Sequence, residues 1–139
     1  MHKRKFEQDG FLVIVTHEID EDPDTSYLTQ EYEDCTPEER ADYKAQDAAR
    51  LKSLERGDWY YMGVCVSIRK QTDTHWADGG LEVGRASVWG IESDSDASFI
   101  AEMARDMIAG AFREVENLRR ALCVPVSVSL APSVAPSVE

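Results

Sequence analysis

Asp20, Asp22 and Asp24 alternate with other residues and are followed by Glu31. That is the spacing at which a calcium loop sets its first, third, fifth and twelfth ligands. Thr25 stands where such a loop needs glycine for its sharp turn, and the run before Asp20 is strand-like instead of helical. A second set, Glu92, Asp94 and Asp96, lies where an apolar run gives way to a helical pattern. Carboxylates clustered there could hold magnesium for phosphoryl chemistry. They suit a plainer role as well: acids at a helix start complement its dipole, and Ser93 or Ser95 can cap the free amides. The three histidines, His2, His17 and His75, show no ligand spacing, and Cys65 lacks an accompanying His and Asn or Asp. It reads as a small core residue, and no cofactor is expected.

Charge is the stronger signal. The chain has 139 residues and a net charge of −12, and between Glu18 and Glu39 there are ten acids and no Lys or Arg. Such a segment repels phosphate backbones, which disfavours direct nucleic-acid binding, and it speeds encounter with basic protein surfaces. Tyr27 and Tyr32 sit among these carboxylates, where a ring supplies contact area and its hydroxyl a hydrogen bond. Trp76, in a polar loop between His75 and Asp78, has the character of an exposed anchor. The expected partner-binding set is therefore Asp20, Asp22, Asp24, Tyr27, Glu31, Tyr32, Glu33, Asp34, Glu38 and Trp76. The competing reading is an acidic loop that only keeps the protein soluble, pinned down by its tyrosines.

The elements that must carry these residues can be read in order. After a basic tip, Met1 to Phe6, the run Phe11 to Thr16 predicts a buried strand. Thr36-Pro37-Glu38-Glu39 is a capping box with proline at the first helical position, and the helix it opens ends before Gly57. The apolar face of that helix, Ala41, Ala45, Ala48, Leu51 and Leu54, is narrow, which predicts a peripheral position. Residues 59–69 alternate as a strand, and residues 81–91 return beside it as the other half of an antiparallel hairpin. Beyond Asp96, apolar residues from Phe99 to Leu122 recur every three or four positions, the stripe of a long core-facing helix. Gly110 interrupts it, at a cost of about 1 kcal/mol unless another backbone packs closely there. Trp59 and Trp89 are expected in the core. Val124 to Leu130 alternates like an edge strand, and the repeat Ala-Pro-Ser-Val that follows reads as a flexible tail.

The resulting expectation is one α+β domain over residues 1–123 with a tail over 124–139. It has an antiparallel sheet of three to four strands, a long C-terminal helix packed on it, and a shorter acidic helix between strands 1 and 2. Three widely spaced cysteines argue against a disulfide framework, and the longest apolar run, Phe11 to Val15, falls far short of a membrane span of about 20 residues. A cytoplasmic protein that does not enter membranes is expected; its oligomeric state is left open.

Three stretches carry a resemblance: Ser26-Tyr27-Leu28, Gly57 to Val64, and above all Val88-Trp89-Gly90-Ile91-Glu92-Ser93-Asp94-Ser95. Over residues 11–122 the chain resembles a group of small uncharacterised proteins encoded by bacteriophages and related mobile elements. The resemblance implies a mobile-element origin, acting in a host cell, and brings no catalytic residues with it. Together with the charge, it points to a non-enzymatic acidic protein that engages a basic surface on a host protein. A defence or nucleic-acid-handling protein fits, the carboxylates standing in for DNA phosphates. The alternatives are a small metal-dependent enzyme using Glu92, Asp94 and Asp96, and a structural or assembly component of a phage particle.

Overall fold

The computed structural model describes residues 2–71 and 80–123. The expectations for Trp76, for His75 and for the edge strand and tail over 124–139 lie outside the described residues. The order of elements is β1 (His2–Gln8), β2 (Phe11–Ile19), a 3-10 turn (Ser26–Leu28), α1 (Pro37–Glu55), β3 (Tyr61–Lys70), β4 (Leu81–Glu92) and α2 (Ala97–Cys123). The strands form one antiparallel sheet in the order β1-β2-β3-β4. An α+β fold with an antiparallel sheet and a long C-terminal helix is therefore present.

The shorter helix does not lie between the first two strands. It follows the second, because the basic tip is itself a strand, β1. Asp9 and Gly10 take φ of 53° and 81°, the pair of positive values that a two-residue type I′ hairpin requires, and Gln8 closes directly onto Phe11. Asp-Gly is among the few pairs that adopt this turn readily.

Strand alternation divides the sheet into two faces. Val13 and Val15 of β2 and Met62, Val64, Val66 and Ile68 of β3 are buried on the face that α2 covers. From the helix, Ile100, Met103, Ala104, Met107, Ala111 and Val115 meet them. Each valine- or isoleucine-sized side chain fully buried there contributes roughly 1.5–3 kcal/mol. Small residues set the spacing: a Cβ on Gly84 of β4 would lie 2.4 Å from the Ala111 carbonyl oxygen, so helix backbone rests directly on strand. The close approach foreseen at Gly110 is thus made at Gly84, while Gly110 faces the Ala86 side chain.

The second helix is anchored differently. No residue of α1 is buried, and its leucines, Leu51 and Leu54, pack against a satellite cluster of Leu28, Trp59 and Tyr61. The capping box at its start is formed in full: Thr36 Oγ1 accepts from Glu39 N, and the Glu39 carboxylate accepts from Thr36 N. At its end Gly57, with φ of 79°, donates to the Leu54 carbonyl.

Of the two tryptophans expected in the core, only Trp59 is there. Trp89 is 47% exposed and lies flat over Gly63, where a Cβ would come within 2.3 Å of its ring. Trp89 follows Val88, which packs toward α2, so alternation carries it to the opposite face. A bulge then returns Ile91 to the core, since between the pairs Met62–Ile91 and Val64–Val88, Trp89 and Gly90 together oppose the single residue Gly63. Gly90 takes the left-handed conformation (φ 76°) that such a bulge favours, and its amide donates to Asp20 Oδ2 at 3.1 Å.

Candidate functional site

The sheet delivers Glu92 at the end of β4 and Asp94 in the turn before α2, and α1 places Arg50 between them. Arg50 Nη2 donates to Glu92 Oε1 at 2.9 Å and to Asp94 Oδ1 at 2.6 Å, and Nη1 donates to Asp94 Oδ2 at 2.7 Å. Its guanidinium stacks 3.6 Å from the Trp59 ring centroid. Tyr27 OH donates to Glu92 Oε1 at 3.4 Å and shares a short hydrogen bond with Tyr61 OH. Hydrogen bonding from Arg50 holds the Asp94 carboxyl below the usual range. Bonds to Asp94 and Glu92 outweigh burial and raise Arg50 further. Burial, reinforced by Tyr61, pushes Tyr27 well above an ordinary phenol.

This geometry bears on the magnesium set. Arg50 occupies the position between Glu92 and Asp94 that a divalent cation would need. Asp96 stands apart and exposed, its carbonyl accepting from Ile100 N at the start of α2. Ser93, one of the two foreseen caps, instead accepts from Tyr60 N through its hydroxyl. Nor are the calcium-spaced residues gathered. Asp20 accepts from the amides of Asp22 and Gly90, Asp24 from the amide of Ser26, and Glu31 from Lys44 Nζ at 2.6 Å. Among the described residues no three His, Cys, Asp or Glu side chains are grouped to hold a metal ion.

The partner-binding set is divided. Asp20 secures the acidic segment to β4, and Tyr27 belongs to the arginine cluster. Tyr32 donates to Asp47 of α1, has its ring centroid 5.1 Å from that of Tyr43 at a tilt of 47°, and has its carbonyl held by Arg40 Nε at 2.7 Å. These contacts leave a shallow depression of about 310 Å³ at the head of α1, lined by Glu31, Glu33, Asp34, Glu39 and the rings of Tyr32 and Tyr43. Glu33, Asp34 and Glu38 are exposed and, among the described residues, make no ion pair. Asp42, one turn beyond Glu38, shares its face of the helix.

Cys65 is buried beneath the open face of the sheet, with Sγ donating to Glu18 Oε2 at 3.1 Å. Burial and that carboxylate push the thiol up to about 12, which makes it a poor nucleophile at neutral pH. Two groups of residues escaped the sequence reading. Arg50 was one polar position among many on α1, although an Arg beside the only leucines of an alanine-rich helix was a signal. The other group is His2, Arg4, His17 and Arg105, which line a groove beside α2.

No protein-family model, curated protein or solved structure matches this chain.

Proposed function

We propose that this chain is a non-enzymatic binding protein of phage or mobile-element origin whose acidic face captures a basic surface on a host protein. The observation that carries this reading is the distribution of unpaired charge. Between Glu18 and Asp47 the sequence holds twelve acids against two bases. The carboxylates at the head of α1, Glu33, Asp34, Glu38 and Asp42, stay in solvent, Glu33 and Asp34 beside the rings of Tyr32 and Tyr43. Carboxylates that the protein neutralises itself, Glu31, Glu92 and Asp94, build the platform instead. Exposed acids framing aromatic rings match a partner surface of Lys and Arg, with stacking on Tyr32 and Tyr43 as a further contribution. A nucleic-acid-binding or defence protein of the host is the partner class that fits, because its own ligand carries the same charge.

The test is immobilised protein exposed to bacterial extract. Bound protein should elute between low and moderate salt and be displaced by duplex DNA. A Glu33→Gln, Asp34→Asn, Glu38→Gln triple variant should lose most of the capture while keeping its melting temperature. Capture that survives the triple variant, or that DNA leaves untouched, contradicts the proposal.

A further inference from the structure

One helix cannot cover four strands. Because α2 rests on β3 and β4, the β1–β2 side of the same face is left as an open groove of about 540 Å³, within the size range of small-molecule sites. Its floor is apolar, made by Val15 from the sheet and Ile100, Ala101 and Ala104 from the helix. Its walls carry Arg4 of β1 and Arg105 of α2, with the imidazoles of His2 and His17 5.0 Å apart and tilted at 45° at one end. Among the described residues no carboxylate lines the groove. Glu18 reaches only the adjoining depression beyond the histidines. Among the described residues neither Arg4 nor Arg105 forms an ion pair, although the chain holds 27 acids against 15 bases. Positive charge has been concentrated here against the protein's overall balance. Desolvation, with repulsion from His2 and Arg4, lowers the His17 pKa, as expected where cations face one another without a counter-ion.

We propose that this groove binds a small amphipathic anion, a carboxylate with a medium-length apolar body. The apolar part would lie on Val15, Ile100, Ala101 and Ala104, and the carboxylate would accept hydrogen bonds from Arg4 and Arg105. Apolar lining supplies affinity, and a bidentate guanidinium supplies orientation and selects charge. The site is independent of the acidic face, which lies at the head of the other helix.

The probe is decanoate, titrated into the full chain and followed by backbone amide NMR and calorimetry. Decanoate should bind with shifts centred on β1, β2 and the first half of α2, and decanol should bind at least tenfold more weakly. Replacing both arginines, Arg4→Gln with Arg105→Gln, should weaken decanoate at least tenfold and leave decanol unchanged. Ala101→Phe, which fills the floor from an exposed helix position, should abolish both with the fold intact by its amide spectrum. Equal binding of decanoate and decanol, displacement of decanoate by equimolar acetate, or indifference to the arginine substitutions each overturns the proposal. So does a dimer in sedimentation velocity that Ala101→Phe dissociates, since a second copy would then be the occupant.

Discussion

The two helices are tied to one sheet by opposite means. Helix α2 is fastened by shape: an apolar stripe interlocks with β3 and β4, and its backbone touches strand at Gly84. Helix α1 is fastened by charge and hydrogen bonds, through Arg50 to Glu92 and Asp94, Lys44 to Glu31, and Tyr32 to Asp47. The difference teaches where a recognition surface can be afforded. A helix packed by shape has one face spent on the core, whereas a helix clamped at a few polar points keeps nearly its whole circumference in solvent. The exposed acids Glu38 and Asp42 are carried on a helix of the second kind, with Glu33 and Asp34 just before it.

The sharpest way to break the contrast is at Gly84. Gly84→Val drives a side chain into the Ala111 carbonyl and should cost roughly 3 kcal/mol, lowering the melting temperature of the entire domain. A variant that melts like the parent would show that α2 is not seated by close contact.

Next comes Arg50→Met, which keeps the stem on Trp59 and removes the charge. It should cost roughly 1–2 kcal/mol. Hydrogen exchange should accelerate across residues 37–55 while residues 97–123 keep their protection. Equal acceleration in both helices would mean that they are one cooperative unit and the distinction is empty.

Acid offers the same cut without mutation. The Asp94 and Glu31 carboxyls are both lowered in the folded protein, by Arg50 and Lys44. The folded state therefore binds fewer protons, and the stabilisation is complete above the ordinary carboxyl pKa of about 4 and is lost as pH falls through the lowered values. Amide exchange followed down from neutrality should show α1 loosening below about pH 4 before α2 does.

The smallest expected change is at the head of α1. Thr36→Ala removes the cap and should cost about 1 kcal/mol, with faster exchange confined to the first turn. Were it to destabilise α2 as well, the capping box would be coupled to the core.

How much of this was legible in the sequence follows from the range of each interaction. The stripe of α2, the box at Thr36, the glycine stop at Gly57 and the β3–β4 hairpin are all written within a few residues of themselves, and all are present. Strand β1 was hidden because Phe6 is its only large apolar residue and charged side chains fill the rest. The Asp9-Gly10 pair was the sign that could have revealed it. Arg50 joins partners 42 and 44 positions away, a pairing no local pattern encodes. Trp89 was misplaced because it alternates with the core-facing Val88, while Gly90 brings Ile91 back inward, and several acids of the Asp20 to Glu39 segment bond to backbone amides or lysine.

Among the described residues no further strand pairs with either border of the sheet, and β1 is one of those borders. Lys3, Arg4 and Lys5 follow one another along it, and at the other border the Trp89–Gly90 bulge interrupts β4. A strand arriving from a second molecule would have to bury a row of cations on one side or follow a broken ladder on the other. The chain should therefore stay dispersed at high concentration, and resist templated fibril growth, without needing a partner to cover its edges.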